Sequence, residues 1–227
     1  MSEENMHEPR DLAIRVSGSG KNSDLWTKVE EDLIEFVYSS NHIEFAGSNL
    51  GPITEDFLKQ VHKKLCSGTV LGEDAGAPGE YRSWEIAARH GKEKKSTFIR
   101  ASAVPLYMAD LVDDLRADML KAGTKAIDAF DMANRYCHRF VCVHPFGDGN
   151  GRLCRILLTV LLLKYTRHVS IFGGTDSERH QYLDITRRGN KKFHEEDMEI
   201  PEENKKGHHE LLRFTVRKSK ATLEGLL

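Results

Sequence analysis

The sequence predicts a mainly α-helical domain that carries one short β-hairpin. In most segments apolar residues recur every three or four positions, as on one face of a helix. Between Tyr81 and Ile99, aromatic and β-branched residues instead flank a basic stretch at 89–95, which is typical of a hairpin with an exposed tip. With 227 residues the chain can bury about 70% of its unfolded surface, so it needs neither disulfide nor metal to fold.

Two helices are predicted after a polar, flexible lead-in at residues 1–23. Asp24 can cap the first helix, whose apolar residues are spaced three or four apart up to Val37. Thr54 can cap the second, which Gly68 closes.

Five further helices are predicted after the hairpin. Their segments are about 105–123, 125–141, 150–163, 175–189 and 208–224. The segment 150–163 is apolar on nearly all sides, so we expect it to be the buried central helix.

Composition excludes several classes of protein. The chain has 33 Lys and Arg against 35 Asp and Glu, a net charge of −2, which argues against a nucleic-acid binder or a polybasic membrane anchor. The first residues lack the features of a secretory signal, and the longest apolar run, 156–163, is too short to cross a membrane. Four cysteines are too few for a disulfide scaffold and indicate reduced thiols. We therefore expect a cytoplasmic protein that binds neither nucleic acid nor membrane.

The segment from His144 to Arg155, HPFGDGNGRLCR, contains a predicted anion site. Gly149 and Gly151 allow successive backbone N–H groups to turn inward. The helix that begins near Asn150 adds its positive end to the same place. Together these groups predict a nest for a phosphate.

Charged side chains of the same segment complete the site. Arg152 and Arg155 lie three apart on one helix face, where both can reach phosphate oxygens. Asp148 supplies a carboxylate oxygen for Mg²⁺ or Mn²⁺, and His144 can act as a general base near pH 7. This combination predicts phosphate-ester chemistry.

Other interpretations of this segment fit it less well. An EF-hand would require Gly at Leu153 and Glu at Thr159, and a Walker loop would end in Gly-Lys-Ser/Thr. A zinc site lacks a recognised spacing among its candidate ligands, Cys137, Cys142, His144 and Cys154.

Other histidines are assigned structural roles. We expect His138 to be a hydrogen-bonded helix residue, and His208 and His209 to form an exposed, polar helix start instead of a metal site.

The segment 144–155 resembles the signature of the Fic (filamentation induced by cAMP) family, His-x-Phe-x-Asp/Glu-Gly-Asn-Gly-Arg-x-x-Arg, at every defined position. The resemblance covers about residues 40–190. Within it, Gly79-Glu-Tyr-Arg82 is similar to the start of the family's flap hairpin. It implies a Fic domain over 24–194, and the polar extension over 195–227, with its predicted helix at 208–224, lies outside the resemblance.

The resemblance also implies a reaction, the transfer of AMP from ATP to a hydroxyl side chain of an unknown target protein or of the chain itself. His144 would take the hydroxyl proton, Asp148 would hold the metal ion, and Phe146 would point into the core. The target would lie along the hairpin as an added strand. The implied nucleotide-binding residues are Asp148, Gly149, Asn150, Gly151, Arg152 and Arg155, with Tyr182, Leu183 and Asn190 at positions similar to the family's adenosine contacts.

A second motif, from Ser40 to Glu44, resembles the family's inhibitory pattern Ser/Thr-x-x-x-Glu. Phe45 departs from that pattern, since Gly or Asn usually follows the glutamate. If Glu44 reached Arg155, it would occupy the place of the γ-phosphate and inhibit the enzyme. Two alternatives remain open: a Fic enzyme that transfers another phosphate-containing group or removes AMP, and a nucleotide-binding regulatory module without turnover.

Overall fold

The computed structural model describes residues 53–67, 76–90, 94–167, 175–197 and 199–224. These residues form α1 (Glu55–Cys66), β1 (Ala87–His90), β2 (Lys94–Thr97), α2 (Val104–Gly123), α3 (Ala129–Val143), α4 (Asn150–Thr166), α5 (Asp176–Glu196) and α6 (His209–Glu224). β1 and β2 pair antiparallel, with Ala87 opposite Thr97. The fold is mainly helical with a short hairpin, which confirms the predicted fold class.

Two helices have ends that differ from the sequence prediction, namely the start of α3 and the end of α5. Thr54 caps α1 with its side-chain oxygen, as predicted. Asp128 caps α3, so this helix begins at Ala129, while Lys125 adopts a left-handed φ of 59° outside it. The predicted start at Lys125 was therefore wrong. α5 continues beyond its predicted end to Glu196.

α3 and α4 form the centre of the core and thereby support the loop that joins them. Leu153, Leu161 and Leu162 of α4 are buried, in agreement with its predicted central position. α3 contacts α2, α4, α5 and α6. Phe146, in the joining loop, is fully buried and anchors that loop to the core.

α6 packs against α3 and makes polar contacts with it. Thr215 Oγ1 donates to Asn134 Oδ1 at 2.7 Å, and His208 Nε2 lies 2.8 Å from Asp131 Oδ1. The exposed position predicted for His208 was wrong, because its ring is buried against Asp131. Within the described residues, no helix has the length and apolar content required to cross a membrane.

Candidate active site

The candidate base, His144, follows α3 and has a left-handed backbone, with φ 52° and ψ 61°. Its N–H donates to the Phe140 carbonyl at 3.0 Å, and its carbonyl accepts from Arg82 Nε at 2.8 Å. The ring Nδ1 lies 3.2 Å from the Val141 carbonyl. Because a carbonyl oxygen only accepts, Nδ1 carries the ring proton and Nε2 remains available as the basic nitrogen.

The imidazole of His144 is held neutral and covered on one side. Burial lowers its pKa to about 4; the hydrogen bond to Val141 opposes this shift, and the Arg82 guanidinium adds to it. Phe98, directly after β2, stacks on the ring with centroids 4.0 Å apart and planes 23° apart. At pH 7 the ring can therefore accept a proton without first losing one. The sequence pattern predicts only that Phe98 belongs to the hairpin segment, and its contact with the candidate base comes from the structure.

Arg82 holds the backbone at the start of the loop. Its side chain is buried, with Glu85 4.0 Å away as an exposed ion-pair partner. The guanidinium donates to four backbone carbonyls, those of Trp84, Ile99, Val143 and His144. These acceptors compensate for burial of the charge. Arg82 is thus a structural part of the site as well as the start of the hairpin segment.

The loop between α3 and α4 has the glycine turn on which the predicted anion nest depends. Gly149 precedes α4 with a left-handed φ of 77°, and no side chain caps this end of the helix. The first-turn N–H groups can therefore face an anion. The buried side-chain amide of Asn150 is bonded to the loop backbone. Its Oδ1 accepts from the Phe146 N–H at 3.0 Å, and its Nδ2 donates to the Phe146 carbonyl at 2.7 Å. Its side chain shapes the loop, which leaves its backbone N–H for a ligand.

Two arginines and one carboxylate border this nest. Arg152 Nη2 lies 3.6 Å from Asp148 Oδ2, and the Asp148 side chain is 54% exposed. Arg155 is half-buried and has no ion-pair partner among the described residues. A Cβ at Gly151 would lie 3.6 Å from its guanidinium, which is ordinary van der Waals contact and places this arginine beside the first turn of α4. The half-exposed carboxylate beside a phosphate nest fits Mg²⁺ or Mn²⁺, whose other ligands are commonly water and phosphate oxygens.

His62 of α1, which the sequence analysis did not identify, lies against the inner side of the loop. Its Nε2 is 2.9 Å from the Asp148 carbonyl, and its Nδ1 accepts from the Gly79 N–H at 2.9 Å. The ring stacks on Phe146, with centroids 3.8 Å apart and planes 4° apart. A single histidine in an amphipathic helix has no distinguishing sequence signal, so only its tertiary contacts identify it.

Residues 52–162 match the model of the Fic/DOC family. The chain belongs to the Fic/DOC family. Among curated proteins it is similar to protein adenylyltransferase fic-1 of Caenorhabditis briggsae, with 30% identity over 113 residues, 49% of this chain and 20% of that protein. It is also similar to the ribonucleoside-diphosphate reductase small chain of Ostreid herpesvirus 1, with 28% identity over 131 residues, 56% of this chain and 21% of that protein. The chain spans about a fifth of the length of these relatives.

A solved structure shares the fold of this Fic protein. The crystal structure of a Fic-domain-containing signaling protein from Bacteroides thetaiotaomicron superposes with a TM-score of 0.68. The alignment covers 92% of this chain and 75% of the other, with 18% sequence identity. At that identity the likeness concerns the fold alone.

The adenosine-contacting residues predicted for the Fic domain lie on α5 with different exposures. Tyr182 is buried, its hydroxyl interacts with the Cys154 thiol, and burial raises its pKa. Asn190 is buried beside the Cys142 thiol. Leu183 is 43% exposed. Contact of these residues with adenosine therefore stays a prediction.

The remaining predicted residues differ in what the structure says of them. Ser40 and Glu44 lie outside the described residues, as does the predicted first helix. The four cysteines are buried and are not joined in disulfides. In the described part of the Fic protein, one group of three side chains has the spacing of metal ligands, namely Asp131, His208 and His209. This group shares no residue with the zinc site considered in the sequence analysis. The Asp131 carboxylate also forms an ion pair with Arg135 at 2.6 Å.

Proposed function

We propose that this Fic domain transfers AMP from ATP to a hydroxyl side chain of a protein and releases pyrophosphate. The observation that supports this proposal is the position of His144 at the start of the loop that leads to the uncapped end of α4, with its Nδ1 bonded to Val141 and no partner for Nε2 among the described residues. The name of the C. briggsae relative, protein adenylyltransferase fic-1, supports the same reaction.

In the proposed reaction His144 Nε2 takes the proton of the target hydroxyl. The hydroxyl oxygen forms a bond to the α-phosphorus, the bond from that phosphorus to the bridging oxygen breaks, and pyrophosphate leaves with the bridging oxygen. The first-turn N–H groups of α4, with Arg152 and Arg155, neutralise phosphate charge. Positioning and charge neutralisation of this kind supply most of the rate in phosphoryl-type transfers.

Asp148 is the residue that would hold Mg²⁺ or Mn²⁺. Its carboxylate is half-exposed, and its Oδ1 already accepts from the Gly149 N–H at 2.5 Å, which orients it at the edge of the nest. A bound cation supplies additional neutralisation of phosphate charge.

The hairpin is the proposed docking place for the target. Its two strands offer an edge for backbone hydrogen bonds from an extended segment. Phe98 follows β2 and touches His144, so a segment held by the hairpin would lie close to the base.

Glu44 is proposed to inhibit the enzyme by pairing with Arg155. The Arg155 guanidinium, which has no ion-pair partner among the described residues, would pair with a γ-phosphate or with a competing carboxylate. ATP held without this contact would be poorly placed for in-line attack.

The test is incubation of the purified protein with ATP labelled at either the α- or the γ-phosphate, in the wild type and in Glu44→Gly. Transfer of the α-label into protein, without the γ-label, is expected. Incorporation of the γ-label would indicate phosphate transfer instead, and ATP binding without incorporation would favour a regulatory module.

The base assignment has its own control. His144→Ala should reduce labelling by about 10²–10⁴-fold, the usual cost of losing a general base, while ATP still binds. His180→Ala is the matched variant, because His180 is an exposed histidine on α5 and should label like the wild type. Equal labelling by the two variants would contradict the assignment.

A further inference from the structure

His62 has both ring nitrogens engaged by backbone groups of two different segments. An N–H group only donates, so Nδ1 accepts from Gly79 and cannot carry the ring proton. A neutral ring then carries its proton on Nε2, which donates to the Asp148 carbonyl 2.9 Å away. The ring therefore connects the segment before the hairpin to the loop that holds the candidate metal ligand.

The ring also sets the shape of the loop. It lies flat against Phe146, the buried residue that anchors the loop. At its Nε2 edge, a Cβ built at Gly149 would lie 2.9 Å from Nε2, closer than such atoms approach in practice. The backbone of Gly149 can occupy its place beside the ring only because it has no side chain. His62 thus contacts the residues on both sides of the loop's turn.

We propose that His62 is a positioning residue for the nucleotide site. Its ring fixes the position of Asp148 relative to the uncapped end of α4, and it connects both to the segment leading into the hairpin. The proposal rests on the proposed function, since it assumes that this site binds a metal–nucleotide complex. Its chemical content lies in the two hydrogen bonds to backbone groups, which a ring of similar size without nitrogens would lack. The Cys66 Sγ also lies 3.4 Å from Nε2, within the same helix.

Three substitutions separate the bonds from the packing. His62→Phe retains an aromatic ring for the stack but loses both hydrogen bonds. His62→Gln can place an amide N–H near the position of Nε2 and restore the donor to Asp148. His62→Asn can place an acceptor near the position of Nδ1 and restore only the bond from Gly79. His138→Gln is the matched control, because His138 is a buried histidine on α3 that does not contact the loop.

The measurement is calorimetric binding of ATP with and without Mg²⁺, with thermal unfolding recorded for each variant. Loss of the hydrogen bond to the Asp148 carbonyl, which positions the candidate metal ligand, corresponds to about a tenfold change in affinity, whereas loss of the more distant bond from Gly79 has a smaller effect. We expect His62→Phe and His62→Asn to bind Mg²⁺–ATP about tenfold more weakly than the wild type. We expect His62→Gln and His138→Gln to remain within about threefold of it. Asp148→Asn, a positive control, should lose the Mg²⁺-dependent part of the affinity.

Other outcomes overturn the proposal or separate it from the proposed function. If His62→Phe binds Mg²⁺–ATP as tightly as the wild type but unfolds at a lower temperature, His62 contributes only to packing. If His62→Gln and His62→Phe weaken Mg²⁺–ATP binding equally, the hydrogen bond to Asp148 does not contribute to the site. If the wild type binds no ATP, the proposed function fails. In that case the positioning role of His62 is tested by amide hydrogen exchange at Gly79 and Gly149. Faster exchange at both amides in folded His62→Phe than in the wild type supports this role, and unchanged exchange refutes it.

Discussion

Acidification below pH 6.5 should destabilise this Fic protein through a buried histidine that lies away from the site. His138 of α3 is 8% exposed and lies between Gly189 and Gly207, where added Cβ atoms would be 2.9 and 2.7 Å from its ring. Burial lowers its pKa from 6.5 to about 4, and a hydrogen bond to the Gly189 backbone opposes the shift only in part. The folded protein therefore keeps this ring neutral where the unfolded chain protonates it.

The sign and size of the effect follow from this difference. Between pH 6.5 and about 4 the unfolded state binds more protons, so the free energy of unfolding falls as the pH falls. At about 1.36 kcal/mol for each pH unit, His138 accounts for a loss of about 2 kcal/mol at pH 5 and about 3 kcal/mol at pH 4. His144, whose pKa is also lowered to about 4, adds a loss of similar size. Asp131, with a pKa lowered to about 2, adds little in this range, because its stabilisation is lost only below its ordinary pKa of 3.8.

Urea unfolding at pH 7 and pH 5 tests this reasoning. In His138→Gln, which cannot titrate, the difference in unfolding free energy between the two pH values should shrink by about 2 kcal/mol. His180→Gln, at an exposed position of α5, should leave the difference unchanged. Two results together would refute the argument. The difference in unfolding free energy between pH 7 and pH 5 would be the same in His138→Gln as in the wild type, and NMR would show that His138 of the wild type titrates near pH 6.5.

Three further predictions concern the candidate site. Arg82→Met should lower the free energy of unfolding, measured in urea titrations, by about 3–5 kcal/mol, because four backbone carbonyls lose their donor. A decrease of less than about 1 kcal/mol would contradict this prediction. Phe98→Ala should lower the labelling rate at saturating ATP by about tenfold without raising KM for ATP, since Phe98 touches the His144 ring; a rise in KM alone would oppose this role. Glu44→Gly should raise labelling more than tenfold, and this gain should disappear without Arg155; a folded, ATP-binding variant with unchanged labelling would remove Glu44 as the inhibitor.

Local sequence determined the helices and the chemistry of the motif. Apolar spacing and caps such as Thr54 depend on residues within a few positions of each other, so they can be read before any tertiary contact is known. The motif from His144 to Arg155 is contiguous, and its base, carboxylate, arginines and glycine turn could be recognised together. Even here the misplaced start of α3 shows that one cap residue, Asp128, can outweigh apolar spacing.

Tertiary structure alone decided how the motif is held and what state its groups adopt. The bond from His62 to Asp148 joins residues 86 positions apart, and the bond from Arg82 to His144 joins residues 62 positions apart. No local pattern indicates such partners, because they depend on which faces of the helices meet. The same packing buries the His144 ring, directs its Nδ1 proton to the Val141 carbonyl and lowers its pKa. Sequence therefore identified the candidate reactive groups, and the packing of distant segments determined their orientation and protonation through burial and long-range hydrogen bonds.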